Sequence, residues 1–232
     1  MSKARDSIED LKTIDANLAA KAPIASPSFT GTVTAESTSA DVLKLNRATA
    51  NGDTNLILQS NGADTAKIHA LSVGDLAFHT GASGSLTEKM RINASGIVTK
   101  PFQPAFRVCK DNGDTSSAGY IVWNIPKINI GGHYSTSTGK FTAPVAGNYY
   151  FAVRALTASA TQNNIWIGIN HNGNPVLQTY HSHINHSNIS GEAIITMAAN
   201  DYVQIYWGGT GMIHTGATGH HKYTFFQGYL LG

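Results

Sequence analysis

Residues 139–151 read Gly-Lys-Phe-Thr-Ala-Pro-Val-Ala-Gly-Asn-Tyr-Tyr-Phe, and this stretch decides the fold. From Tyr149 onward a large apolar side chain recurs at every second position, the next two being Phe151 and Val153. A period of two is typical of a β-strand that has one face in a hydrophobic core. We therefore expect a core strand here, with these three side chains pointing inwards.

The same alternation continues beyond Pro101, with Gly and Asn turns between the runs. It predicts an antiparallel β-sandwich, because each run offers one apolar face. Further core positions on this pattern are Ile165, Ile167, Ile169, Val203, Ile205 and Trp207. The opposite faces still carry large aromatic side chains, which a monomer does not leave in water without a reason. We therefore expect a neighbouring chain to cover them.

The stretch from Gly139 to Phe151 resembles the signature G-x-F-x-x-P-x-x-G-x-Y-x-F of the globular head of complement component one-q. Residues 199–203, Ala-Asn-Asp-Tyr-Val, are similar to that family's G-D-x-V turn, and residues 226–231, Phe-Gln-Gly-Tyr-Leu-Leu, to its terminal strand. The resemblance implies a ten-stranded jelly roll that assembles as a tight homotrimer. We place this head at residues 101–232. The expected trimer interface comprises Tyr150, Trp166, Tyr206 and Tyr229.

The first part of the chain follows a different pattern. Apolar residues from Ile8 to Leu18 form a stripe at helical spacing, too short to fold alone, so we expect a short helix that either frays or pairs in a coiled coil. The phrase AAKAPIASPSFTGTVTA at residues 19–35 resembles the linker of bacteriophage tail fibres. We assign this helix and its linker to residues 1–34.

Residues 35–100 give short alternating runs broken by Asn-Gly, Gly-Asp and Ser-Gly. Hairpins with so few apolar residues cannot offset their ordering entropy, so we expect a fibrous β-shaft of three chains. The run EKMRINASGIV at residues 88–98 resembles a phrase of the fibre shafts of marine phages. The alternative interpretation is a small separate β domain.

Composition argues against several classes of function. Only 13% of residues are charged and the formal charge of +2 includes no run of Lys or Arg, so nucleic acid is not an expected partner. No apolar run approaches the roughly 18 residues of a membrane span, and the first residues lack the apolar core of a signal peptide. We therefore expect that the chain does not insert into a membrane. We also expect that it is made in a host cytoplasm. The one cysteine, Cys109, is expected to be a buried thiol.

No catalytic residues are predicted, and we expect a protein that is not an enzyme. A polysaccharide depolymerase needs two carboxylates about 5 to 10 Å apart. The carboxylates of the head are Asp111, Asp114, Glu192 and Asp201. The sequence also lacks the G-x-S-x-G and H-E-x-x-H motifs.

Antiparallel strands place alternate connections at the same end of a sandwich, which groups 156–163, 181–191 and 208–222. The receptor-binding residues predicted in these loops are His181, His183, Asn185, His186, His214, His220 and His221. His181 and His183 share one face of an extended segment, so three copies offer six nitrogens to a transition-metal ion on the trimer axis. Metal binding, receptor contact and ordinary solvated surface all stay open, and calcium is not expected because imidazole is a poor ligand for it.

These patterns together predict a viral tail-fibre tip, located in the virion, that adheres as a homotrimer to a host cell-surface glycan or protein. Other virion tail proteins are its further expected partners. The alternative hypothesis is a structural or assembly protein of the virion, or a bacterial surface protein that shares the head, without receptor binding.

Overall fold

A computed structural model of the chain describes residues 52–82, 84–110, 118–157, 163–183, 187–209 and 223–232. Every helix or strand in these ranges is a β-strand, so the mainly β fold is confirmed. No helix in this part of the chain has the length and hydropathy needed to cross a membrane. The helix expected within residues 1–34 lies outside the described residues.

The first sheet, which we call the meander sheet, consists of strands that pair in chain order. Its strands are β1 (Thr54–Ser60), β2 (Ala63–Ala70), β3 (Leu76–Thr80), β4 (Thr87–Ile92) and β5 (Val98–Thr99). The turn between β1 and β2 is Asn61-Gly62, and both residues have a positive φ, as a two-residue hairpin requires. Antiparallel pairing joins β2 through β5.

The meander sheet has almost no core of its own. Among its described residues, Ala77 is the only one with a fully buried side chain. Arg91 bridges Glu88 and Asp75 on one face, and its Nη1 lies 2.6 Å from Oδ2 of Asp75. A sheet this thin agrees with the sequence argument about ordering entropy, although association into a trimeric shaft stays a prediction.

The head is a two-layered sandwich, as the alternation predicts. Its strands are β6 (Ala105–Cys109), β7 (Gly119–Tyr120), β8 (Ile125–Ile130), β9 (Phe141–Thr142), β10 (Gly147–Leu156), β11 (Asn163–His171), β12 (Asn174–His183), β13 (Asn188–Met197), β14 (Tyr202–Gly208) and β15 (Phe225–Leu230). The front sheet has the order β13-β10-β15-β6-β8, and the back sheet has the order β12-β11-β14-β7, with β9 beside β14. All pairings between these strands are antiparallel.

The core lies between the two sheets, and every predicted core residue is in it. Tyr149, Phe151 and Val153 from the front sheet meet the predicted residues of β11 and β14, and all are at most 1% exposed. Cys109 is buried as expected, and this burial raises the pKa of its thiol. The alternation therefore located the core correctly because one face of each strand points inwards.

The motif at residues 139–151 has a physical explanation. Gly139 has a φ of +74°, and a Cβ there would lie 2.6 Å from the carbonyl oxygen of Ile121. Two residues later the ring of Phe141 is buried. The Tyr149 hydroxyl then donates a hydrogen bond to the carbonyl of Val145 at 2.8 Å. The motif thus sets a tight turn and fixes the entry of β10 into the core.

Candidate functional site

The histidine-bearing end of the head is described only in part. Five predicted residues lie outside the described ranges: Asn185, His186, His214, His220 and His221. His181 lies within β12 opposite Ile165, and the backbone of His183 pairs with that of Asn163. Their predicted location in a loop is wrong, because β11 offers backbone partners along this whole length of β12.

The predicted grouping of the connections at this end agrees with the described residues. The N–H of Thr157, directly after β10, donates to the carbonyl of Ser187, directly before β13, at 2.8 Å, which joins two of the grouped connections. Among the described residues, no group of three or more His, Cys, Asp or Glu side chains is placed to hold a metal ion. The metal site on His181 and His183 stays a prediction, as does receptor contact by the histidines.

At the opposite end, two short turns are tied together by Asp201, and we call this arrangement the turn clasp. Asp201 accepts a hydrogen bond from Nδ2 of Asn172 at 2.8 Å and one from the N–H of Ala198 at 2.8 Å. Its Oδ2 also lies 3.0 Å from Nε2 of His171. The Asn172 amide, followed by the other donors, holds the pKa of Asp201 below its usual value. The carboxylate is therefore part of the turn structure.

The outer face of the front sheet carries an apolar row that crosses all five strands. Cross-strand register places its members side by side: Ile194, Tyr150, Tyr229, Ala105 and Ile130. Ile194 is 66% exposed and Tyr229 is 45% exposed. We call this set the front row. Such a contiguous apolar strip on an outer sheet face is a feature of surfaces that meet another protein.

Tyr150, which lies between Ile194 and Tyr229 in the front row, is fixed by its neighbours. Its ring lies 5.4 Å from that of Tyr229, and its hydroxyl donates to Oε2 of Glu192 at 2.6 Å. This hydrogen bond to a carboxylate raises the pKa of Tyr150 to about 12, so the phenol stays neutral. Glu192 is thus occupied on the front sheet, whereas Asp201 lies in the turn clasp. Asp111 and Asp114 lie outside the described residues.

The outer face of the back sheet carries a second strip, made of aromatic side chains. Its members, which we call the aromatic row, come from β12, β11, β14 and β7: Tyr180, Trp166, Tyr206 and Tyr120. The Trp166 ring lies 5.0 Å from that of Tyr206 at an interplanar angle of 15°. Tyr180 lies 5.9 Å from Trp166 on one side, and Tyr120 meets Tyr206 edge-on at 5.2 Å on the other.

The structure therefore divides the predicted trimer interface between two surfaces. Tyr150 and Tyr229 lie together on the front sheet, while Trp166 and Tyr206 lie together on the back sheet. The sequence analysis missed the residues that complete each strip, above all Ile194 and Tyr180. Alternation along a strand indicates only which face a residue lies on, whereas its neighbours on that face depend on strand register.

Comparison with known proteins gives one family. The C1q domain matches residues 105–231. Complement C1q tumor necrosis factor-related protein 3 of Mus musculus is 28% identical over 113 residues, which are 48% of this chain and 44% of that protein. Complement C1q tumor necrosis factor-related protein 2 of Mus musculus is 35% identical over 83 residues, 34% of this chain and 27% of that protein. The solved globular domain of zebrafish complement 1qA is 24% identical with a TM-score of 0.43, covering 56% of this chain and 98% of that one.

These relatives correct the functional prediction. They are animal proteins, so the interpretation as a bacteriophage tail-fibre tip that binds a host receptor from the virion is wrong. Partnership with a host-surface glycan or with virion tail proteins has no support in them. The phrases at 19–35 and 88–98 misled because a short stretch of similar sequence does not define a function. The alternative hypothesis, a structural or assembly protein of the virion or a bacterial surface protein that shares this head, is closer to the findings, because the head is the part that they support.

The resemblance of the head to complement component one-q, by contrast, is confirmed. The chain spans less than half the length of the curated relatives it matches. The described strands of the matched segment form the two sheets of the sandwich. Since the match covers more than half of the 232 residues, the chain belongs to the C1q domain family.

Proposed function

We propose that this chain is a non-catalytic structural protein that works as a homotrimer, with the front row as the main surface between protomers. The observation that carries this proposal is the continuity of the front row across five strands. A strip of this kind loses unfavourable contact with water when a second copy covers it. Tyr150 is held in place before association, which reduces the entropy lost on binding.

The hydrogen bonds of the described carboxylates of the head support the lack of catalysis. Glu192 accepts the hydrogen bond of Tyr150, and Asp201 accepts those of the turn clasp. A general acid or base has to face a space where substrate can sit and has to exchange a proton there. Glu192 lines a hollow on the front sheet, but its Oε2 already accepts the Tyr150 hydrogen bond, and Asp201 lies in the turn clasp. The two carboxylates therefore do not form a catalytic pair.

The meander sheet gives independent support for association. Leu56, Leu58 and Val98 are each between 43% and 52% exposed, and a five-stranded sheet with one buried side chain is marginal by itself. We propose that copies of this sheet cover each other in the trimer. The chain would then gain stability in both of its β-rich parts from the same assembly.

The proposal predicts the mass of the assembly and the residues on which it depends. Sedimentation equilibrium of the full chain at micromolar concentration is expected to give three times 24.6 kDa. The double substitution Tyr229→Glu and Ile194→Glu is expected to give monomer, because it introduces charges in the middle and at the edge of the front row.

Val176→Glu is the matched control for this experiment. Val176 is 48% exposed, which is close to Tyr229, but it lies on β12 of the back sheet. This variant should keep the mass of the parent protein. A monomeric parent, or a double variant that stays trimeric, would contradict the proposal.

A further inference from the structure

We propose that each protomer of the trimer places Ile194 in a hollow of the next protomer, and that Arg107 pairs at the same contact with Glu192 of the partner subunit. This inference rests on the proposed function and deepens it, because it states which parts of the front sheet meet. In a ring of three copies, one side of the patch contacts the opposite side of the next copy. The two sides of the patch therefore have to fit each other in shape and in charge.

The two ends of the front row differ in shape. At one end, on the edge strand β13, the side chain of Ile194 is 66% exposed. Towards the other end, the outer face has a hollow of about 340 Å³, whose lining includes Ala105, Ile128, Gly228 and Tyr229. Ala105 and Gly228 have little or no side chain to fill this space. An aliphatic side chain from another copy would fill it and displace water from apolar surface.

A second line of residues on the same outer face differs in charge between its ends. Strand register places its members side by side, and we call them the charged row: Glu192, Ala152, Gln227, Arg107 and Ile128. Glu192 is exposed on the edge strand β13, whereas Arg107 lies on β6, next to the opposite edge. The charged row thus has a negative end and a positive end on the two sides that meet in a ring.

Neither of these two charges is neutralised within the described part of one protomer. Oε2 of Glu192 accepts a hydrogen bond from the neutral phenol of Tyr150, and Nη1 of Arg107 donates to Oε1 of Gln227 at 2.6 Å. The salt bridges of the described residues include neither Glu192 nor Arg107. The guanidinium of Arg107 also lies 4.0 Å from the ring centroid of Phe225, which holds it in position. Each charge can therefore attract the opposite charge of another copy.

Two further charged residues lie on the strands of the front sheet, Arg154 on β10 and Lys127 on β8. Arg154 lines the same hollow as Glu192. Its Nε donates instead to Oδ1 of Asn188 at 3.1 Å, so its guanidinium is turned towards a different neighbour. Lys127 lies on the edge strand beside β6, so it adds positive charge to the side that carries Arg107.

One rotation brings both contacts together. Ile194 and Ala105 belong to the front row, and Glu192 and Arg107 belong to the charged row, so each contact joins the two ends of one row. A rotation about an axis that runs along the strands keeps each row at its own height. Within one protomer, three strand spacings separate β13 from β6, which is roughly 14 Å. Both contacts therefore need a second copy.

The first test is a disulfide between Ile194→Cys and Ala105→Cys in the same chain. On oxidation, this double variant is expected to give covalent trimers on a non-reducing gel. Two cysteines whose Cα atoms are more than about 7 Å apart do not form a disulfide, so these two cannot pair within one protomer. The two single variants are the controls, because they share the native Cys109 and should give no covalent trimer.

The second test exchanges the two charges. Glu192→Arg and Arg107→Glu are each expected to raise the protein concentration at which half of the trimer dissociates by at least about tenfold, because each brings like charges together. The chain with both substitutions is expected to return to within about threefold of the parent protein, because each contact again joins opposite charges. Sedimentation over a range of protein concentrations measures these values.

Lys140→Glu combined with Glu192→Arg is the matched control for the exchange. It has the same net charge as the exchanged chain, but Lys140 lies against Tyr202 of the back sheet, so no recovery is expected. A monomeric parent protein would contradict the proposed function and this inference with it. In a trimeric parent, two results would each overturn this inference and leave the proposed function standing. One is a double cysteine variant that crosslinks no better than the single variants, and the other is an exchanged chain that dissociates as readily as its single variants.

Discussion

Gly228 lies in the middle of β15, where two aromatic rings close over the position of its missing side chain. A Cβ there would lie 2.6 Å from Cδ1 of Phe151, 2.9 Å from Cε1 of Phe106 and 2.8 Å from the backbone oxygen of Tyr150. Both rings are fully or almost fully buried, and the backbone oxygen belongs to a paired strand. Neither can move far without opening the core. The glycine of the terminal motif is therefore required by packing.

We expect Gly228→Ala to lower the free energy of unfolding by about 1 to 3 kcal/mol, the usual cost of overpacking a core. Denaturant titration followed by circular dichroism measures it. Gly147→Ala is the control, because its nearest contact would be Cδ1 of Leu230 at 2.8 Å, the end of a flexible side chain. If both variants are destabilised equally, the two rings are not as constrained as we infer.

At the scale of elements, the turn clasp should make the stability of the fold decrease at acidic pH. In the folded chain the pKa of Asp201 is below its usual value of 3.8. The ionised carboxylate therefore stabilises the fold fully above pH 3.8, and this stabilisation is lost as the pH falls through the folded pKa. The thermal midpoint of the parent protein should therefore decrease below about pH 4. Asp201→Asn should have a lower midpoint at pH 7 and a smaller decrease in acid.

Calorimetry or circular dichroism between pH 7 and pH 3 measures both effects. Asp64→Asn removes a carboxylate from the meander sheet instead, and it tests whether any loss of one negative charge has the same result. An Asp201→Asn variant with the acid dependence of the parent protein would show that the turn clasp does not link these two turns energetically.

The strands also show which features of the fold the sequence predicted and which it did not. Alternation located the buried faces of β10, β11 and β14, because burial repeats with the pleat of each strand. It did not pair Tyr180 with Trp166, because cross-strand neighbours depend on register, which is set by the whole sheet. It also ended β12 too early and left His181 in a loop.

At the scale of the whole molecule, the domain division at residue 101 stays a prediction, and it has a direct test. The two sheets of the head enclose one core, whereas the meander sheet has one buried side chain among its described residues. A core of this kind supplies the buried apolar area that a domain of this size needs to fold. We therefore expect residues 101–232, produced alone, to fold and to unfold cooperatively.

The isolated head should also form a trimer if the front row is the main surface between protomers. Residues 1–100 produced alone are the matched comparison, and we expect no cooperative thermal transition from them at low concentration, because their strands lack a core. Sedimentation and calorimetry of the two halves measure both properties. A head that folds but stays monomeric would mean that the first hundred residues hold the protomers together, and a head that fails to fold would place the boundary elsewhere.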